Sequence, residues 1–416
     1  MTQSSLKVLF LTSSYPRSEQ DTASIFLRYL AEHLTELGVA VHVLAPAAEH
    51  GGTSVENKIV VHRFRYFPKS WQTLAYHSGI VPNLRRSPWL WLQVPFFLIA
   101  MAGTLLRLLY EERFDLIHAH WILPQGLPAL LANMLFRVPV VVTAHGTDAF
   151  ALRGKFATLL KHFIIQRSAR WTANTRETAR ALAAHSKAPE PKIIPMGVDK
   201  ALFAQGKPDL LRRDVDENET VLLFVGRLIE QKGCYNLLHA MSLLSPVIRG
   251  RIRLWVIGDG DQKAPLQKSA VTFGIRERVT FFGALSHHCL PDFYAAADIV
   301  VVPSSDGNSG ATEGQSVVVL EAFAAQTCVL ATRVGGISSM VRDGITGVLV
   351  EPNSPSALGQ ALELLLSNPG LRARLAATGF VELKACYSWS HIAEEFVQIY
   401  HQVSCSSDPL IANCHK

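Results

Sequence analysis

Glu313-Gly314-Gln315-Ser316-Val317-Val318-Val319-Leu320-Glu321, continued by Ala322-Phe323-Ala324-Ala325, reads as a loop running into a helix that is apolar nearly all round. A helix of that kind belongs inside a core. It lies between two β-branched runs, 298–302 and 328–331, so the local unit is strand, helix, strand. A carboxylate is almost never fully buried without a partner, so Glu321 is expected to bind something. The Gly314-Gln315-Ser316 turn presents backbone N–H groups at a positive helix end, a cradle for phosphate. Two carboxylates flanking an anion site suit a ligand with phosphates in the middle and hydroxyls at both ends, which is the shape of a sugar nucleotide.

Outward from this unit the same alternation fills the chain. Strands are expected near 7–12, 39–45, 58–64, 114–119, 138–144, 170–173 and 192–196, with helices near 23–37, 88–112, 124–136, 150–168 and 175–185. The pattern weakens over 197–219, where Lys207-Pro208 and a run of charged residues look like a linker. A second series follows: strands near 220–225, 252–257, 278–281, 298–302, 328–331 and 347–350, and helices near 233–243, 262–273, 288–296, 316–326, 355–367 and 370–384. Such alternation is the signature of a parallel, doubly wound α/β sheet. We therefore expect two Rossmann-like domains facing a cleft, 1–200 and 201–387. An amphipathic helix at 388–404 is expected to cross back to the first domain, leaving 405–416 as a disordered tail.

Composition limits the function classes. The 416 residues suit two domains, and 49% hydrophobic against 18% charged residues describes an ordered globular chain. Forty Lys and Arg against 34 Asp and Glu suit anionic ligands or an anionic membrane face. No basic run with interleaved aromatics points to nucleic acid. The six cysteines are scattered without CxxC pairs and read as reduced cytosolic thiols. The N-terminus runs directly into a strand and lacks a signal-peptide layout, so the expected location is cytoplasmic, with association at the inner face of the cytoplasmic membrane as a further expectation.

That membrane expectation rests on Trp89–Leu106, an apolar stretch broken only by Gln93, Pro95, Gly103 and Thr104 and flanked by Arg85, Arg86 and Arg107. It reaches the lower limit for a spanning helix. A span would place the strands before and after it on opposite sides of a bilayer although both belong to one sheet. Two readings stay open: a buried crossover helix, or a helix dipping into one leaflet with Trp89 and Trp91 at the interface.

In open α/β sheets ligands sit beyond the carboxyl ends of the strands. After 220–225 come Gly226-Arg227 and then Lys232-Gly233, a pair of cations able to converge on a diphosphate. Gly258-Asp259-Gly260 forms a tight turn, Gly283-Ala284-Leu285 could meet a flat base, and Pro303-Ser304-Ser305 precedes the Glu313 loop. Together with Ala297-Asp298, Gly335-Gly336, Asp343-Gly344-x-x-Gly347, Ile194-Pro195-Met196-Gly197-Val198-Asp199 and His145-Gly146-Thr147-Asp148, these motifs resemble the retaining GT-B glycosyltransferases of family 4 in order, to about residue 403.

That resemblance implies catalytic roles for Glu313, Arg227, Lys232 and His145. Arg227 and Lys232 would hold the donor diphosphate where other transferases use a metal, so no metal or cofactor is expected beyond the nucleotide sugar itself. Glu321 would accept from ribose hydroxyls and Glu313 from the donor sugar. The amides of Gly314, Gln315 and Ser316 would reach phosphate, with Gly226, Gly258 and Gly283 lining the donor and His145 and Asp148 facing its sugar from the first domain. A phosphate oxygen would take the acceptor's proton, so no protein base is required. The expected activity is transfer from a UDP- or GDP-sugar to a lipid-linked or polysaccharide-type acceptor.

Alternatives are a sugar-nucleotide 2-epimerase of the same plan and a non-catalytic nucleotide-sugar-binding subunit. The chain departs from many relatives in its first strand–helix loop, 13–24, which lacks Gly-Gly. Ser316 stands where Gly or Pro is frequent and is expected to keep a hydroxyl cap at the helix start. His118 and His120 share one face of a strand end and read as cleft lining or packing, and Asp214-Val215-Asp216 in the linker and Asp259-Gly260-Asp261 in a turn are not expected to hold a metal. The segment 64–92, with Arg65, Lys69, Trp71, Tyr76, Arg85 and Arg86, reads as an acceptor or membrane loop or a plain insertion.

Overall fold

The computed structural model describes residues 6–18, 21, 23–47, 51–76, 79–150, 152, 154–183, 189–213, 215–216, 218–305 and 314–406. The chain folds as two compact units. One comprises Met1–Pro195 with Trp389–Lys416 and the other Met196–Ser388.

The first unit holds strands β1 (Lys7–Leu11), β2 (Ala40–Pro46), β3 (Gly52–Glu56), β4 (Ile59–Phe64), β5 (Leu116–His120), β6 (Val140–Ala144), β7 (Arg170–Ala173) and β8 (Lys192–Ile193). Their order is β3-β4-β2-β1-β5-β6-β7-β8, parallel except at the β3 edge. Strands β1, β2, β5 and β6 are buried along almost their whole length, as a sheet covered on both faces requires. The strand order reverses between β1 and β5, where Phe10 pairs with His118, so the ligand-binding crevice of this unit lies over the ends of those strands.

Strand β3 has no counterpart in the sequence-based expectation. It is the antiparallel partner of β4 across the turn Asn57-Lys58, where both residues have positive φ, 49° and 68°. That is the geometry of a two-residue type I′ hairpin, formed here without the Asn-Gly signal that marks such turns.

The connections β4→β5, β5→β6 and β6→β7 carry helices Gln93–Glu111, Gly126–Phe136 and Lys155–Arg167. All three run the same way across the sheet, so right-handed crossovers put them on one face, and successive helices touch. On Gln93–Glu111 the sheet side carries Phe97, Met101, Leu105 and Leu108, each fully buried and contributing about 1.5–3 kcal/mol. The expected helix 88–112 is thus a 3-10 turn opened by Pro88 and a separate α-helix. Helix Ile25–Glu36 packs against Trp389–Ser406, which the first unit recaptures. The Tyr400 hydroxyl of that last helix lies 2.7 Å from His118 Nδ1.

The second unit holds β9 (Thr220–Val225), β10 (Ile252–Ile257), β11 (Val279–Gly283), β12 (Ile299–Val302), β13 (Cys328–Thr332) and β14 (Val348–Val350), all parallel in the order β11-β10-β9-β12-β13-β14. The order reverses between β9 and β12. Helix Val317–Ala324 is buried from Val319 to Ala324, as its composition predicts. Described residues of the stretch 197–219 are anchored to the second unit: Phe203 is buried and the Arg212 Nη2 pairs with Asp298 at 2.6 Å.

Candidate functional site

The loops at the carboxyl ends of β9 to β12 are tied to one another through main-chain hydrogen bonds. Gly226 N donates to Ile257 O at 3.0 Å, Gly258 N to Gly283 O at 2.8 Å, Leu228 N to Asp259 O at 2.9 Å and Ser305 N to Gln231 O at 2.9 Å. Two of the approaches demand glycine. A Cβ on Gly258, at φ 141°, would lie 1.8 Å from Gly226 O, and one on Gly233, at φ 68°, would lie 1.8 Å from Pro303 O. The result is a preformed rim at the strand-order reversal. Over it the Lys232 side chain crosses Gly226, its Cδ 3.9 Å from where a Cβ would stand, while Arg227 projects exposed from the next residue. Among the described residues the Arg227 guanidinium has no ion pair, so this rim carries positive charge available to an anion. A cavity of about 440 Å³ opens beside it, lined by Glu230, Gly233, Asn236, Gln262 and Ser305, but not by Glu321.

Glu321 is only 4% exposed, and the protein itself supplies its partners. The Tyr294 hydroxyl donates to its Oε2 at 2.6 Å, and His287 Nε2 lies 3.0 Å from its Oε1. Phe203 stands edge-on to both rings, at 5.5 and 5.3 Å between centroids. Burial obliges Glu321 to have a partner, and the protein supplies two, so burial alone does not require a ligand there. Burial beside this carboxylate pushes the Tyr294 hydroxyl well above its ordinary range, so it stays a donor.

Gln315 is buried and its amide grips a neighbouring turn: Nε2 donates to Met196 O at 2.8 Å and Oε1 accepts from Met196 N at 2.7 Å. Its side chain is therefore committed to the 194–199 segment, leaving backbone groups of the turn for an anion. The Ser316 hydroxyl makes no capping hydrogen bond, which corrects that expectation. Gly314 lies at the edge of the described segment, and Glu313 and Asp214 lie outside the described residues.

In the first unit the histidines at the ends of β5 and β6 form a row of mutually tilted rings. His118 and His120 lie 4.0 Å apart between ring centroids, with Phe10 edge-on to both at 5.3 and 4.5 Å. His118 Nε2 lies 2.6 Å from Thr143 Oγ1, so both its ring nitrogens are engaged. His120 Nδ1 lies 3.2 Å from His145 Nε2, and Phe26 and Trp121 flank the His145 ring at 5.0 Å each. The other nitrogens, His120 Nε2 and His145 Nδ1, are buried without a protein partner, as are the amides of Gln125 and Asn174. Such groups at strand ends have open hydrogen-bonding capacity. Asn174 directly follows a strand end, so the strand-end rule could have found it, whereas Gln125 falls within the expected helix 124–136 and gives no such signal. His287 and Tyr294 carry no such signal.

Asp148 acts as a brace. Its oxygens accept from His145 N and Ile122 N, each at 2.8 Å, tying the β5 and β6 loops together. Burial pushes its carboxyl up to about 6 despite these bonds, while burial pushes His145 down to about 3 and His118 and His120 well below their ordinary range. His145 is therefore a neutral hydrogen-bonding group at pH 7.

The histidine shifts carry a pH consequence. Groups whose folded pKa is lowered contribute stability that is complete above about 6.5 and is lost as the pH falls toward the folded value. Asp148 acts oppositely, losing its contribution as the pH rises from about 4 to the folded value of about 6. Burial also lowers His42 and His62, and five such histidines against the raised carboxyl of Asp148 predict net proton uptake on unfolding below pH 6.5. Chemical denaturation across pH should show stability falling in acid, less steeply in a His118→Phe variant; a pH-independent midpoint would contradict this.

The segment 64–92 is anchored in the first unit's core through Phe64, Tyr66, Leu74 and Tyr76, while Trp71, Trp89 and Trp91 stay exposed. Tyr76 donates to Pro46 O at 2.7 Å, and Arg63 Nη1 donates to Tyr15 O at 3.1 Å and to the Tyr76 hydroxyl at 3.0 Å. Among the described residues no group of three His, Cys, Asp or Glu side chains converges as a metal-ligand set.

Comparison with known proteins adds two family models: "Glycosyltransferase Family 4" matches residues 23–202, and "Glycosyl transferases group 1" matches residues 209–380. A D-inositol 3-phosphate glycosyltransferase from Geodermatophilus obscurus is 31% identical over 336 residues, covering 74% of this chain and 71% of the relative. The Frankia alni protein of the same name is 33% identical over 332 residues, covering 74% and 79%. Among solved structures, the sucrose-phosphate synthase from Thermosynechococcus elongatus superposes with a TM-score of 0.75 at 22% identity, over 96% of this chain and 100% of that one. The Anabaena protein HepE in complex with UDP gives a TM-score of 0.74 at 20% identity, over 95% and 100%. These likenesses identify the fold as GT-B.

Proposed function

The chain belongs to the family 4, group 1 glycosyltransferases, and from that premise we propose that it moves a sugar from a UDP- or GDP-sugar to a lipid-linked or polysaccharide-type acceptor with the anomeric configuration retained. The carrying observation is the cationic rim at the β9/β12 reversal, where Arg227 and Lys232 share a loop held open by glycines that admit no side chain. A nucleoside diphosphate suits such a rim, since its two phosphates take charge-assisted hydrogen bonds from both cations and its departure is eased by them. HepE has been solved with UDP and with UDP-glucose, which supports a donor of this chemistry.

The base meets the Gly283 turn, and Glu321, already held by Tyr294 and His287, offers its remaining lone pairs to the ribose. Glu313 contacts the donor sugar. Neutral His145, in the first unit, is able to hydrogen-bond a sugar hydroxyl. The leaving phosphate takes the acceptor's proton, so the charge is handled by Arg227 and Lys232 with no metal taking part. The enzyme works in the cytoplasm, at the inner face of the membrane, through Trp89–Leu106.

A second acceptor class has its own support, because relatives at 31 and 33% identity are named for D-inositol 3-phosphate. One experiment separates the two. The protein is incubated with UDP- and GDP-sugars in the presence of chelator, with either a membrane lipid extract or a soluble polyol phosphate as acceptor, and the product anomer is read by NMR. Donor consumption into lipid-soluble product with retained configuration is expected. Product only on the polyol phosphate moves the acceptor to the second class. An inverted anomer, or activity abolished by chelator, sinks the corresponding part of the proposal.

A further inference from the structure

The three-helix face of the first unit is wrong for water. On Gln93–Glu111, the side turned from the sheet carries Phe96 and Ile99, 52 and 69% exposed, joined by Trp89, Trp91 and Leu92 of the preceding 3-10 turn, Leu92 being 70% exposed. The next helix, Gly126–Phe136, exposes Met134 at 78% and Leu135 at 61%, and Lys155–Arg167 exposes Phe156, Leu159 and Phe163 at helical spacing. Outer helices of a doubly wound domain are ordinarily polar on that side. Here the segments are separated in sequence but adjacent in space, so their apolar stripes merge into one patch.

The charge around the patch is as uneven. Residues 57–176 carry 15 Lys and Arg against 4 Asp and Glu, a net of +11 in a chain of +6, and no acidic residue occurs from 57 to 110. The cations sit beside the exposed apolar groups. Arg86 precedes the Pro88–Leu92 turn, Arg137 caps the Met134 helix, Lys155 adjoins Phe156, and Arg167 lies over the Phe163 ring at 5.6 Å. Three of the chain's seven tryptophans, Trp71, Trp89 and Trp91, are exposed at one margin. Tryptophans at a boundary, aliphatic and phenyl groups at the centre, and arginines at the fringe match the layers of an anionic lipid surface.

We infer that the surface formed jointly by helices Gln93–Glu111, Gly126–Phe136 and Lys155–Arg167 docks on an anionic lipid leaflet as a monotopic patch. Spanning is excluded because β4 and β5, on either side of the apolar segment, belong to one sheet with β2 and β1 between them. The half of Gln93–Glu111 that a span would expose is the half already packed on that sheet. The inference extends the membrane contact proposed for Trp89–Leu106 to two helices that no hydropathy window joins to it, and it does not depend on the acceptor.

The test uses the full chain and vesicles of phosphatidylcholine, with or without phosphatidylglycerol, in a sedimentation assay. Binding is expected to the anionic vesicles and to weaken with salt. Phe156→Ser with Leu159→Ser should lower partitioning about tenfold, since both side chains leave an apolar phase. Arg86→Glu with Arg137→Glu should lower it by about tenfold or more, an effect that disappears at high salt. Unfolding midpoints and the UDP-induced thermal shift, read on the same samples, should be unchanged and identify any variant that misfolds. For one that does, Met134→Ser and Leu135→Ser replace it.

Failure of the parent to bind anionic vesicles overturns the inference, as does parental binding by the Phe156/Leu159 variant, which would confine contact to the first helix. A stable dimer by light scattering that Leu92→Asp converts to monomer, without vesicle binding, would assign the patch to a second copy. Vesicle binding with transfer only to a soluble acceptor would keep this inference and sink the lipid-acceptor proposal. Transfer to lipid without vesicle binding would do the reverse.

Discussion

Lys232→Ala and Arg227→Ala are each expected to lower kcat by about 100- to 1,000-fold, the range found when one preorganised charge-stabilising group is removed from a reacting centre. Both residues lie on the loop after β9, and neither is buried in the core. Arg227 is exposed, and Lys232 lays its stem across Gly226. Their truncation should therefore leave thermal stability close to the parent's. The loss should fall mainly on kcat, because charge on the departing nucleotide grows toward the transition state, with a smaller weakening of UDP binding. Lys232→Arg tests whether charge alone suffices, since a planar guanidinium replaces a point charge. Steady-state kinetics with a saturating donor decides the matter. A kcat within threefold of the parent for both alanine variants would remove them from the reaction.

Glu321 offers the second large effect, one that separates a structural from a ligand-binding role. Glu321→Ala leaves the Tyr294 hydroxyl and His287 Nε2 without their carboxylate, and an unpaired buried group costs about 1–3 kcal/mol. For a unit of this size that should lower Tm by about 2–4 °C per kcal/mol, with no nucleotide present. Glu321→Gln keeps an acceptor for Tyr294 and an amide opposite His287, so most of the stability should return. If the carboxylate also binds the ribose, the glutamine variant should still bind UDP several-fold more weakly than the parent. Calorimetric unfolding with and without UDP reads both quantities at once. An alanine variant as stable as the parent would refute the structural role, and a glutamine variant with parental UDP affinity would refute the ligand role.

Glu321 also shows how far residue-level reasoning reached. Burial was legible from the apolar run around it, and so was the need for a partner, since the cost of burying a bare carboxylate is independent of fold. The identity of the partner was not. Tyr294 and His287 lie 27 and 34 residues upstream, and only the tertiary fold brings helix Leu290–Ala296 and the 3-10 turn His287–Cys289 before it to the carboxylate. Asp148 is a parallel case. Its place after a strand was visible, but its turn inward to the amides of Ile122 and His145 follows from how two loops meet. The β3 hairpin escaped for a different reason: Asn57-Lys58 adopts a turn that its composition does not announce.

By itself the sequence determined the alternation of strands and helices, the class of sheet they form, and the glycine- and cation-bearing loops at the strand ends. Those features depend on local periodicity and on backbone conformations that particular residues permit, so they can be read a few residues at a time. Tertiary structure decided the strand order that sets β1 beside β5 and β9 beside β12, the partners of Glu321 and Asp148, and the merging of three helical stripes into one apolar, basic-rimmed face. Each of these joins residues far apart in the chain through the handedness of crossovers and the close packing of side chains, which no local window contains.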